Sequence, residues 1–152
     1  MRVIEPSELI INPDGSVFHL HIKPGQLAPN VILVGDPGRV EMIASLFDTI
    51  ESEASNREFI SATGSFNEKK ITVLSTGIGT DNIDIVMNEL DALVNIDFET
   101  RTIKKEHTSL NIIRIGTSGA LQANIRVDSF LASAKAIGFD GLLNFYGGRN
   151  DI

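Results

Sequence analysis

Apolar runs that end on glycine-rich polar turns set the rhythm of this chain. Residues 31–34 read VILV and close on Gly35; Asp36-Pro37-Gly38-Arg39 follows at once. Val40, Ile43, Ala44 and Phe47 then recur at helical spacing, so a buried strand should turn directly into a helix. Asp36 can cap that helix, and Pro37 suits its first position because it has no N–H to leave unpaired. Residues 57–66 (REFISATGSF) and 69–77 (KKITVLSTG) are β-prone runs joined by the polar turn Asn67-Glu68-Lys69, which predicts a hairpin. A further run, LNIIRIGTSGALQ from Leu110 to Gln122, closes on Gly116 and Gly119 and reads as a buried strand of a parallel sheet.

The remaining patterns fill the intervals. Residues 1–15 are polar, with Asn12-Pro13-Asp14-Gly15 a strong turn signal. SVFHLHI alternates, placing Phe18, Leu20 and Ile22 on one strand face and Val17, His19 and His21 on the other. After Gly77-Ile78-Gly79, a helical stripe runs through Ile83, Val86, Met87, Leu90 and Leu93. Residues 95–109 read as a solvated loop with His107 at the surface. VDSFLASAKAI predicts another strand, and GLLNFY opens a further apolar element. Strand, loop, helix and strand in several rounds specify an α/β sheet, with ligand chemistry at the strands' carboxyl ends.

Composition narrows the function classes. The 152 residues suit one core of ordinary domain size, and 42% are hydrophobic, as in soluble globular proteins. No apolar run is long enough to span a bilayer, and residues 1–6 lack the apolar core of a secretory signal. With no cysteine, disulfide and thiolate chemistry are excluded, and a cytoplasmic location is expected. A net charge of -7 argues against a nucleic-acid surface.

Against that acidic background the arginines in apolar contexts carry information. Arg114 interrupts the aliphatic run near the end of its strand; if buried, its guanidinium must meet an anion, either a carboxylate or a ligand. Thr117 and Ser118 add hydroxyls, and two glycines open the backbone to close approach, the makings of an oxyanion site. Arg39 stands in the first turn of a helix just beyond another strand. The plain alternatives are a buried Arg–carboxylate pair and a solvated corner arginine. Gly77 and Gly79 begin a dinucleotide fingerprint, but Asn82 replaces its third glycine and no acidic residue closes a second strand, so that reading fails.

Taken in order, FHL, GDPGRV, NREF, VLSTGIG and RIGTSGALQ resemble the nucleoside phosphorylases of the uridine and hexameric purine type. The resemblance spans roughly residues 17–123, and NREF with GTSG is more similar to the uridine branch. It implies a mixed, largely parallel central sheet flanked by helices, with residues 1–152 forming the N-terminal portion of a single phosphorylase domain. It also implies cleavage of a nucleoside by inorganic phosphate to free base and pentose 1-phosphate, without metal or organic cofactor. By position, phosphate would be held by Gly35, Arg39, Arg114, Gly116 and Thr117, with Arg57 reaching in from a neighbouring subunit. Arg114 and Arg39 would serve catalysis by positioning that anion. The ribose would be met by Thr117, by Phe18 and by His19 from the neighbour, in a homo-oligomer built from dimers. Arginine suits this work, because its planar fork binds phosphate oxygens in pairs and keeps its charge.

Two departures qualify the transfer. Thr80-Asp81-Asn82 replaces the Gly-Pro-Ser turn common in the uridine branch, and family members continue well past residue 152. The base-recognising residues and the Met-Glu ribose motif are absent, so a non-catalytic fragment that binds phosphate or oligomerises is the alternative. A serine hydrolase is more remote. Gly116-Thr117-Ser118-Gly119-Ala120 nearly forms a nucleophile elbow, but His19, His21 and His107 all precede Ser118.

Overall fold

The computed structural model describes residues 2–148; residue 1 and residues 149–152 of the expected domain lie outside the described residues. The chain divides into two compact units, Met1–Ile115 and Gly116–Ile152. The first contains strand β1 (Asn30–Val34), helix α1 (Gly38–Ala44), strands β2 (Thr49–Asn56), β3 (Phe59–Phe66) and β4 (Lys69–Ser75), and helix α2 (Thr80–Asn95). Two-residue strands β5 (Ile96–Asp97) and β6 (Thr102–Ile103) follow, then β7 (Asn111–Ile115).

Five strands form one mixed sheet in the order β2-β3-β4-β1-β7. β1 runs parallel to both β4 and β7, whereas β2, β3 and β4 are antiparallel neighbours. Each sheet face has its own core, because alternate residues of a strand point opposite ways. On one face Val31, Leu33, Phe59 and Leu74 pack with Val86, Leu90 and Leu93 of α2 and with Val17, Leu20 and Ile22. On the other, Val34, Ala62 and Val73 meet Val40 of α1, with Ile43, Ala44 and Phe47 alongside, as the helical stripe predicts. The helix starts one residue later than expected: Pro37, with helical dihedrals, is its N-cap and no side chain caps it there, although the Asp36 carboxylate accepts the Gly38 N–H at 2.9 Å. The β3–β4 hairpin forms as expected; Asn67 and Glu68 both take positive φ, matching the twist of a tight hairpin.

Several expectations need correction. SVFHLHI is not a strand: Val17 makes only an isolated bridge, and the chain turns back so that the Val17 N–H donates to Ile22 O at 3.0 Å. Buried positions are accordingly Val17, Leu20 and Ile22 rather than alternate residues. β7 is the sheet's edge rather than a buried strand, with Ile113 64% and Ile115 46% exposed. Arg114 is exposed too, so the premise that it is buried falls. β2 escaped prediction because TIESEASN is a polar edge strand with no apolar run. The loop 95–109 contains the small β5–β6 hairpin; between its strands Arg101 donates to the carbonyls of Ile4 and Glu5, at 2.8 and 3.1 Å, tying down the N-terminal segment. His107 is at the surface as expected.

In the second unit, residues 127–137 form no strand, and the apolar element near 141–146 is a 3-10 turn, Leu142–Phe145. Phe130 and Phe139 are fully exposed, without the apolar contacts that would favour an extended pairing there.

Candidate active site

Three parallel strands bring the candidate loops to one rim. Val34 is level with Ser75 on one side and with Ile115 on the other, so β1, β4 and β7 end together. Past Val34 come Gly35 and the corner into α1; past Ser75 come Thr76 and Gly77. Thr76 joins the two ends, donating its N–H to Val34 O at 2.8 Å. Arg114 is in register with Leu33 and shares its face, the α2 side. Its guanidinium lies over Gly35: a Cβ at that glycine would sit 3.5 Å from Arg114 Nη2 and 3.7 Å from Gly77 O. Arg39 is half-buried in the first turn of α1, four residues after Gly35 in the chain.

The antiparallel half contributes a second cluster to the rim. β2 and β3 are joined by the two-residue turn Arg57-Glu58, which lies beyond the carboxyl end of β4 because β3 runs opposite to it. Ser75 Oγ secures this turn, donating to Glu58 O at 2.6 Å and accepting the Ile60 N–H at 2.8 Å. Arg57 is exposed and has φ 54°. The Asn56 amide donates to His19 O at 2.9 Å, and the His19 ring lies edge-on to Phe18 and Phe59, with centroids at 4.8 and 6.1 Å. Phe18, His19 and Arg57 therefore lie towards the β3 end of the rim and Gly35 and Arg114 towards the β7 end, while Arg39 lies in the first turn of the helix that covers β3 and β4 on the opposite face. β3 and β7 are three strand spacings apart, about 14 Å.

Gly77 stands between the clusters. Its φ is 66°, and a Cβ there would come within 2.8 Å of both Asn82 Nδ2 and Glu58 Cγ. The Asn82 amide donates to Glu58 Oε1 at 2.8 Å. Glu58's own backbone N–H, then the Asn82 amide, hold its carboxyl below the usual range against an opposing effect of burial, with the Arg57 charge adding a lesser pull.

Among the described residues, no carboxylate pairs with Arg39, Arg57 or Arg114, and no hydrogen bond engages their guanidinium groups. The buried Arg–carboxylate alternative for Arg114 is thereby removed. Gly116 and Thr117 follow directly on Ile115 in the chain, are exposed, and belong to the second unit. His19 Nδ1 is paired with Glu89 Oε1 at 2.7 Å. Glu89 itself escaped the sequence reading. It is 7% exposed on the core side of α2, and an acidic residue between Val86 and Leu90 on that stripe was the available signal.

Comparison with known proteins identifies the family. The Phosphorylase superfamily matches residues 29–151. Uridine phosphorylase of Thermococcus kodakarensis is 33% identical over 133 residues, 88% of this chain and 43% of the relative. That of Haemophilus influenzae is 39% identical over 127 residues, 82% of this chain and 45% of the relative. A Trypanosoma brucei nucleoside phosphorylase, whose crystal structure is described as showing uridine phosphorylase activity, superimposes with a TM-score of 0.71 at 37% identity, covering 78% of this chain and 41% of that one. The chain thus spans less than half the length of the relatives it matches. By matched length, sequence identity and fold together, this chain belongs to the phosphorylase superfamily and, within it, to the nucleoside phosphorylase family.

Proposed function

We propose that this chain carries the phosphate-binding half of a nucleoside phosphorylase site, with uridine the favoured substrate class. The observation that carries the reading is that, among the described residues, no carboxylate forms an ion pair with Arg39, Arg57 or Arg114, the last of which lies against Gly35. In phosphorolysis a phosphate oxygen attacks the sugar carbon of the glycosidic bond. That bond's electron pair leaves with the base, which takes up a proton. The sugar passes through an oxocarbenium-like state, so an anion fixed beside it supplies both nucleophile and counter-charge. Gly35, Arg39 and Arg114 would position that anion, and inorganic phosphate is the sole co-substrate required. The separate clustering of Phe18, His19 and Arg57 supports their service to a neighbour's sugar and phosphate in a two-fold dimer, where each copy lends the same patch.

The test is calorimetric titration with inorganic phosphate. Arg114→Ala should weaken binding by at least about tenfold, since a charge-assisted hydrogen bond is lost. Arg114→Lys should restore little, because a point charge does not replace the fork. Unchanged affinity in Arg114→Ala would sink the assignment.

A further inference from the structure

Glu89 is an acidic side chain on the core-facing side of α2, with a side-chain exposure of 10%. All of its hydrogen bonds go to one short turn. Oε1 accepts the His19 N–H at 3.0 Å and lies 2.7 Å from His19 Nδ1. Oε2 accepts the Leu20 N–H at 2.9 Å and shares the His19 N–H at 3.1 Å. An ionised carboxylate only accepts, so the ring nitrogen facing it must carry the proton. The other ring nitrogen, Nε2, has no partner among the described residues, and no buried side-chain nitrogen or oxygen is left unpaired, so Nε2 is open to solvent. The edge-on rings of Phe18 and Phe59 limit how far the imidazole can rotate.

We infer that Glu89 is a positioning residue: it fixes His19 with its proton on Nδ1 and presents Nε2 as a hydrogen-bond acceptor for a hydroxyl of the nucleoside's sugar. The inference rests on the site reading above, in which His19 meets the sugar, and adds the group that sets how it does so. The placement is selective. Backbone donors at His19 and Leu20 hold both carboxylate oxygens, so Glu89 cannot follow the ring if the ring turns away. Phe59 and Asn56 tie the same turn to the Arg57 corner, so sugar contact and anion contact move together.

Glu89→Gln separates this role from mere support. The amide can keep both backbone N–H donors by turning its oxygen towards Leu20, which puts its NH2 against the ring. His19 Nδ1 must then accept, and the proton moves to Nε2. Nitrogen-15 NMR of the histidine ring at about pH 8.5, where a histidine of ordinary pKa is neutral, reads this directly. Wild type should show the Nδ1–H tautomer and Glu89→Gln the Nε2–H tautomer; the wild-type spectrum tests the claim even if the variant folds poorly. Calorimetry with ribose 1-phosphate and with inorganic phosphate supplies the second arm. Glu89→Gln should bind the sugar phosphate about tenfold more weakly and inorganic phosphate unchanged.

A wild-type Nε2–H tautomer, or the same tautomer in both proteins, overturns the positioning role. A tautomer switch with equal ribose 1-phosphate affinity overturns the sugar contact. Failure of the wild-type chain to bind even inorganic phosphate overturns the underlying site reading, and is told apart because it does not depend on residue 89.

Discussion

Arg57 holds its backbone at φ 54°, a conformation that costs a side-chain-bearing residue about 1 kcal/mol. Glycine would relieve the strain but would also enlarge the freedom of the unfolded chain. Arg57→Gly should therefore be neutral to stabilising, by up to about 1 kcal/mol in urea unfolding, while removing a guanidinium from the rim. Clear destabilisation would mean that the arginine supports the fold rather than a ligand. Asp14 works in the opposite sense. Its carboxylate accepts from Ser16 Oγ at 2.7 Å and from the Ser16 N–H at 3.1 Å, with Lys23 at 3.4 Å. The Ser16 hydroxyl, then the Ser16 N–H, lower its pKa from 3.8 to about 2, with Lys23 adding a smaller pull. A carboxyl depressed in the folded state stabilises it above the unfolded pKa and loses that contribution as pH falls through the folded one. Acid unfolding between about pH 4 and pH 2 should thus become shallower in Asp14→Asn; an identical profile would show that Asp14 does not contribute.

At the scale of elements, the tightest join is between β2 and β3. A Cβ on Gly64 would lie 2.0 Å from Thr49 O and 2.8 Å from the Phe47 ring, where the register shifts between Ile50 and Ser52. Gly64→Ala must push backbone aside and should cost about 3 kcal/mol in denaturant unfolding. Gly119→Ala, which meets nothing within 4 Å, should cost little, and equal effects would refute the crowding argument. These elements also show what the residues could and could not disclose. β1, α1, the β3–β4 hairpin and α2 were legible because each buries a periodic apolar set in one of the two cores. SVFHLHI was misread because the N–H groups of His19 and Leu20 go to Glu89, a partner some 70 positions away. β2 was missed because an edge strand can be polar throughout, and Arg114 was misplaced because its apolar neighbours suggested burial that the edge does not supply. Of the candidate site, the motif order placed the arginines; it could not reveal that Arg57 and Arg114 lie towards different ends of the rim.

For the whole molecule, the chain spans less than half of each relative, and on the proposed reading it carries the anion's half of a site. Binding energy from the remote parts of a substrate lowers the barrier of the reacting bond, so a site without a base pocket should lose rate as well as affinity. Residues 1–152 given uridine or inosine with phosphate should release no free base, as followed by ultraviolet absorbance. Release near the rate of a full-length relative would place the base pocket within this chain. The unpaired rim arginines have a further consequence, for traffic. With a net charge of -7, most of the surface repels an incoming dianion, whereas the rim attracts it. Surface charges reach only about 10 Å through 0.1 M salt. On the proposed reading, capture of phosphate is a matter of last-moment funnelling: in dilute buffer the acidic surface and the arginine rim together should sort phosphate by direction of approach, and added salt should erase the sorting before it loosens the grip.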